Sequence, residues 1–419
     1  MLSQEVEERL AEHLTARIEE ANSYILKRIG EAIKQISTLT PSQAYQLGQI
    51  LKYGGTYEEI AKELARVSGK NVQDIYKIFE EVAKNNKQFA KQFYRYRGID
   101  YIPYSKDIAL QNMVKSIGDI TAEAYINISR TRGIGFLFKD VNGQIYFKNI
   151  QDSYYEIIDR GILSISQGKE TFNAEMRKIM KQLGNSGLVM YENGRTRRLD
   201  SAVRMNLLDG IRQVSNETTK RFGEEYDADG IEISVHSNPA PDHSDVQGRQ
   251  FSTIKPSENE LSEWEKLEAG EIAKDYNGVN RQLEHSKNGS YRHISEYNCY
   301  HKIFTIVLGV SKPEYTDEQL NDIREANLSG FEYEGKHYTM YEGTQLQRRI
   351  ETAIRKQKDT QILARSAGDN ELVQQSQLKI TQLTHKYNEL CNVSGLLPKK
   401  QRMSVAGYRR VQVWVIEKF

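Results

Sequence analysis

Cysteine is almost absent: the chain has two, Cys299 and Cys391, in 419 residues. Two are too few for a disulfide framework, which fits a reducing compartment and leaves Cys299 available as a ligand. Proline is scarce too, at 7 residues, and charged and hydrophobic residues stand at 27% and 38%. That composition excludes disorder as the default state. A net charge of +1 excludes a whole-molecule polyanion binder, so any basic patch must be local. The longest apolar run, Ile303 to Val310, is broken by Thr305 and Gly309. It is strand-sized, far below the roughly 20 residues of a membrane span. The acidic start, Met1 to Glu8, lacks the basic region and apolar block of a signal peptide, so a soluble protein not exported by that route is expected. No phosphate-binding glycine loop, nucleophile elbow, His-Glu-x-x-His or Cys-x-x-Cys occurs anywhere.

What is present is mostly helical periodicity. The length suggests two or three folding units at about 150 residues each. Apolar residues recur every three or four positions from Val6 to Ile36, predicting one long amphipathic helix. Helices are expected from Gln43 to Leu51, from Thr56 to Val67, from an Asn71 cap to about Tyr94, and from Ile108 to about Thr131. At Gly133 the period changes. A hairpin turned at Asn142-Gly143, two helices, and a second hairpin turned at Asn193-Gly194 lead to a strong helix from Asp200 or Ser201 to Phe222. The strand Ile231 to Val235 follows, and Ser257 to Arg292 reads as a long polar segment with one short helix. After the strand at Ile303, Thr316 caps an acidic helix, and Phe331 to Thr339 forms a third hairpin. Two last helices are separated at Gly368-Asp369. The expected architecture is helix-rich α+β, with an N-terminal helical region over 1–132, a central domain over 133–340 and a C-terminal helical hairpin with its tail over 341–419.

Charge is uneven along the chain. Arg195, Arg197, Arg198 and Arg204 cluster at the second hairpin, reading either as a solvated face or as a phosphate contact. Between Gln345 and Arg410 stand thirteen Lys or Arg against five Asp or Glu. Arg348, Arg349, Arg355, Lys356 and Lys358 are therefore candidates for contact with nucleic acid or an acidic partner, against the plainer reading of a solvated helix face.

The stretch richest in chemistry runs from Glu232 to Gly248. Pro239 and Pro241 stiffen it, and it presents His236 and His243 on a loop. Cys299 and His301 stand one residue apart at the mouth of a later strand. Imidazole and thiolate at loop and strand ends are the usual donors to Zn²⁺, so His236, His243, Cys299 and His301 form a candidate metal set, with Glu232, Asp242, Gln247 and Gly248 in support. Four donors would make a closed structural site. Fewer donors plus water, with Glu232 or Asp242 as general base, would make a hydrolytic one. Histidines merely hydrogen-bonded in a polar turn are the third reading.

The chain resembles the phage minor capsid protein 2 family, within the wider group of Mu F-like head morphogenesis proteins. The similar stretches are Arg198 to Arg204, Leu208 to Arg212, Glu232 to His236, Pro241 to His243 with Gln247-Gly248, Asn298 to His301, and Tyr338 to Lys358. Their order matches over essentially the whole chain. The resemblance implies a structural virion component in few copies, assembled in the host cytoplasm and located in the capsid interior or at the portal vertex. Its implied partners are the portal protein, other capsid subunits and phage DNA, with no membrane. It also supports reading His243, Cys299 and His301 as ligand-type positions. The family commonly carries arginine where Ala240 and Tyr300 stand here.

Overall fold

The computed structural model describes residues 4–38, 40, 42–44, 56–129, 134–140, 142–184, 188–190, 196–283, 292–294 and 299–412. Ten long or medium helices, several short antiparallel sheets and three single 3-10 turns account for the regular structure among them. The helix-rich α+β class expected from periodicity is what is found. The chain forms two compact units, each built from three segments: 1–11, 74–122 and 205–345 in one, and 12–73, 123–204 and 346–419 in the other.

Helix α1 covers Gln4–Ser37, and its apolar stripe, including Leu14, Ile18, Ile25, Ile29 and Ile33, is buried as its spacing demands. Helix α2 runs without a break through Thr56–Arg97, where two shorter helices are expected from the sequence. The reason lies in Asn71. Instead of capping a helix start, its side chain donates to Leu14 O at 3.1 Å and Tyr125 Oη at 2.6 Å and accepts from Arg17 at 3.1 Å. Gly69 then sits mid-helix with open space around it, a loss of about 1 kcal/mol relative to alanine that burial of this helix outweighs. Helix α3 spans Ile108–Ser129. The Gln43 to Leu51 helix, the Asn193-Gly194 turn and Asn298 lie at least in part outside the described residues.

The second unit contains the sheet β2-β1-β3-β4, with β1 Ile134–Lys139, β2 Ile145–Asn149, β3 Leu188–Met190 and β4 Thr196–Arg198. Helices α4 (Ile150–Ser166) and α5 (Lys169–Gly184) fall between its two hairpins. The hairpin turned at Asn142-Gly143 is present, with Phe136 opposite Lys148 and Gly143 at φ +85°. The same unit holds the first residues of α6 (Leu199–Glu225), helix α9 (Met340–Ala367) and helix α10 (Asn370–Ser394). Gly368, at φ +79°, ends α9, and the Asp369 side chain caps α10 by accepting from Leu372 N.

Within this unit lies a buried charge cluster that no local pattern announces. Arg198 donates to Asp359 at 2.7 Å and to Asp200 at 3.2 Å, and Arg355 donates to Asp200 as well. Arg198, Asp200 and Asp359 are 7%, 4% and 1% exposed, so all three have left water. Burial raises both carboxyls, but for Asp200 the two guanidinium groups outweigh it and hold that carboxyl low. Asp359 has Arg198 alone as a direct partner and Asp200 as a like-charged neighbour, so burial wins and its carboxyl is raised. Reading Arg198 as part of a solvated face is thus overturned: the arginine is a core residue.

Glu19 on α1 faces the same cluster, where burial first and the Asp200 charge second push its carboxyl up to about 8. A raised folded-state pKa means that the folded protein holds a proton the unfolded chain releases. The corresponding stability is complete below about pH 4.5 and is lost as pH rises through about 8. Glu19→Gln is therefore expected to be no less stable than the parent at pH 6 and clearly more stable at pH 9. Urea midpoints at the two pH values check this, and an equal offset at both would contradict it.

In the other unit, β5 Gly230–Ile233 is the middle strand of a three-stranded sheet, flanked by β6 Gln250–Ser252 and β9 Ile303–Ile306. Ile231, Ile233, Val246 and Phe251 pack with Leu267, Ala273, Leu283 and Ile294 into one core. The last four belong to the region expected to be a long polar segment. Through 283 that region instead supplies core residues, a capped short helix α7 (Glu263–Glu268) and the strand pair β7 Ala273–Lys274 and β8 Asn280–Arg281. Helix α8 (Asp317–Ser329), opened by the Thr316–Gln319 capping box, and the hairpin β10 Phe331–Tyr333 with β11 Lys336–Tyr338 complete the unit.

Candidate metal centre

The centre is assembled by backbone pairing next to that core. Beyond β5, Ser234 N donates to Lys302 O at 2.8 Å and Lys302 N donates to Ser234 Oγ at 2.8 Å, which lays His301 beside the start of the His236 loop. The loop then makes one 3-10 turn, Pro241–His243, with proline at its first position, where no amide donor is needed. Gly248 returns the chain to the sheet by donating to Ile233 O at 2.8 Å. Its φ of +70° and the closeness of Leu320 and Val235, within 2.8 Å of where a Cβ would stand, leave glycine as the residue that fits.

His243, Cys299 and His301 converge, with one ligand-type atom of each within 4.8 Å of the others. They are 0%, 1% and 1% exposed, which is unusual for imidazoles without a partner. The Nδ1 atoms of both histidines lie 3.4 Å from Cys299 Sγ. Their Nε2 atoms point the other way, His243 to Arg292 O at 2.7 Å and His301 to Gln247 Oε1 at 3.1 Å. An Nε2–H donated to an oxygen leaves Nδ1 as a lone pair, so both imidazoles aim a lone pair at one point beside a sulfur. For Zn²⁺ with ordinary bond lengths the edge between sulfur and nitrogen of a tetrahedron is roughly 3.5 Å. The residues present fit a metal ion of that kind. Burial, together with the neighbouring His236 and His243, pushes His301 well below the usual imidazole range, and the neutral ring is the form that ligates.

Three of the four candidate ligands come together. His236 is half-buried with its ring centroid 4.5 Å from that of His301, but it lies outside the convergent set, so among the described residues the cluster has three protein donors and not a closed four. Of the supporting residues, Gln247 both accepts from His236 N at 3.2 Å and contacts His301, tying the two histidines to one amide. Asp242 receives Nε and one terminal nitrogen of Arg292, each at 3.2 Å, which fixes the segment whose carbonyl faces His243. Glu232 sits elsewhere: Gln250 Nε2 at 2.6 Å and Glu314 N at 3.4 Å occupy its carboxylate, in the wall of a separate cavity. Both carboxylates that could serve a hydrolytic water as base are thus engaged by other partners.

Although Ala240 and Tyr300 are not cationic, arginines from other segments stand close by. Arg292 is paired with Asp242, two residues from Ala240, and the Arg212 guanidinium lies 4.7 Å over the Tyr300 ring. Sequence reading missed both Arg292 and Arg212. Arg292 lay in a stretch taken for a loop, and Arg212 is one of many cations on a helix.

The candidate basic residues on α9 are unevenly available. Arg355 pairs with Asp200, and Lys358 donates to Met403 O at 2.6 Å. Lys356 is half-buried and its amine is pushed down by burial, whereas Arg349 is exposed.

Fold and site together define a helix-rich structural protein with a small β-core closed by a Cys/His cluster that is able to hold a metal. The chain belongs to the phage minor capsid protein 2 family, whose model matches residues 8–392. It is accordingly a capsid-type component of the phage virion, in a family whose members associate with other head proteins. Neither the curated proteins nor the solved structures contain a match. Among the described residues, no helix is long and apolar enough to cross a membrane.

Proposed function

We propose that this protein is a non-enzymatic minor component of a tailed-phage head that associates with the portal vertex, and that Zn²⁺ bound by His243, Cys299 and His301 locks its central β-core. The observation that carries the reading is the family match over 385 of 419 residues, counting 8 through 392. It covers both compact units and excludes a reading based on one borrowed domain. Zinc would supply folding free energy, joining residues 58 positions apart (243 to 301) across the segment that contributes Leu267, Ala273 and Leu283. The chain's own groups orient the ligands: Gln247 and the Arg292 carbonyl set the imidazole tautomers, and Asp242 holds Arg292. On this reading assembly takes place in the host cytoplasm and the mature location is the capsid interior or portal vertex.

The local positive excess supports a further contact with packaged DNA, resting chiefly on Arg348, Arg349 and Lys356, since Arg355 and Lys358 are engaged within the fold. Heads purified from cells producing the phage provide the test. The expected result is the chain at far lower copy number than the major shell subunit, crosslinking to portal and, in filled heads only, to DNA. Absence from heads would overturn the assignment. Crosslinks to the shell alone would remove the portal, and crosslinks to DNA unchanged in Arg348→Gln/Arg349→Gln would remove the proposed DNA face.

A further inference from the structure

A second feature of the first unit is unrelated to the histidines. Phe89 and Phe93 of α2, Phe222 and Tyr226 of α6, and Phe304 of β9 surround a half-open cavity of about 260 Å³, with Asn86 in its wall. Phe93 and Tyr226 stack at 5.2 Å between centroids, so the wall is a built aromatic surface and not a packing fault. Phe89 stands at the edge of this group, 41% exposed although it is a large apolar residue. Its neighbours' polar atoms are satisfied: Tyr226 Oη donates to Thr305 O at 3.1 Å, Thr219 Oγ1 donates to Ser215 O at 2.8 Å, and Val307 N donates to Ser311 Oγ at 3.1 Å.

Asn86 is the exception. It is 2% exposed, and its amide nitrogen donates to Thr218 Oγ1 at 2.9 Å and Ser215 Oγ at 3.2 Å. Thr218 spends its own proton on Val214 O or Ser215 O, so it can only accept from Asn86, which fixes the orientation of the amide. Asn86 Oδ1 is then left buried with no hydrogen-bond partner. A buried acceptor in an apolar wall is costly unless something brings it a donor.

Size narrows what that is. An apolar cavity of about 150 Å³ accepts benzene, whereas pockets for whole cofactors or metabolites start at roughly 300 Å³. The match is one flat ring system with one N–H or O–H. We infer that this cavity is an anchor pocket for a single tryptophan or tyrosine side chain of a neighbouring head protein, the ring lying against Phe93 and Tyr226 and its donor reaching Asn86 Oδ1. Such anchors, a large aromatic in a preformed pocket, dominate the energetics of protein interfaces. The protein source of the ring, though not the pocket itself, rests on the head-component reading above.

Two arms test it separately. On the purified full chain, NMR titration with indole and with indene, its isostere lacking the N–H, should show indole binding about 5–10-fold more tightly. Asn86→Leu should abolish the preference, and Phe89→Arg, at an exposed position, should abolish binding of both while leaving the fold intact. Equal affinity of the two probes, or no binding of either, overturns the pocket. In heads, a photocrosslinking amino acid at position 89 should join a tryptophan- or tyrosine-bearing peptide of another head protein. Adducts within this chain alone, or none, overturn the partner. If the chain is absent from heads, the functional reading fails and the partner with it, while the indole preference still decides the pocket.

Discussion

Cys299→Ser is expected to reduce bound metal to below a tenth of the parent's content and to lower unfolding free energy by about 4 kcal/mol, the contribution of a ligand present at a thousand times its Kd. The sulfur is the one soft donor in the set, 3.4 Å from both Nδ1 atoms, and an alkoxide-forming serine does not ionise to replace it. A chelator should bring the parent to the level of the variant and leave the variant unchanged. That pairing separates loss of metal from simple loss of packing, since Cys299 is also a fully buried residue. Urea unfolding with and without chelator is the measurement. A variant destabilised equally in both conditions, against a parent indifferent to the chelator, would reduce the cluster to hydrogen-bonded histidines.

The second large effect belongs to Arg198. Arg198→Met is expected to destabilise the protein by about 3–5 kcal/mol, because it strands two buried carboxylates that the guanidinium serves at once. Asp359 has no second cation in contact, and one of its oxygens already lacks a partner, so it suffers most. The compensating change is Arg198→Met with Asp359→Leu. It leaves Asp200 paired with Arg355 and is expected to recover most of the loss, since apolar contacts often replace a buried ion pair without penalty. Denaturation of parent, single and double variants forms the check. A double variant no better than the single would mean that Arg198 acts through packing of its stem and not through its charge.

These two cases mark what could be read from the chain before its structure. Helix positions in α1, α8, α9 and α10 follow from apolar spacing and caps, because those signals are local. The metal residues were legible for a different reason: so few cysteines and histidines exist that a Cys-x-His beside a strand, opposite a histidine-bearing turn, is conspicuous. Which histidine completes the set was not legible, since ring orientation depends on Gln247 and on the carbonyl of Arg292. Glu232 was misplaced in support of the site. Strand alternation puts Ile231 and Ile233 into the core and turns Glu232 to the opposite face, toward Gln250 and Glu314. The Arg198–Asp359 pair spans 161 residues and joins a strand end to the middle of a helix. No periodicity encodes such a contact. Asn71 misled through its chemistry, being a good helix cap that is used for tertiary hydrogen bonds.

The metal centre is the claim on which the reading of the β-core depends, because it converts a hydrogen-bonded loop pair into a lock. Elemental analysis of the protein, purified without chelator and counted per chain, tests it most directly. One equivalent of zinc, lost in both Cys299→Ser and His243→Ala, is the predicted result. A metal-free protein that unfolds at the same urea concentration before and after zinc is added would contradict it.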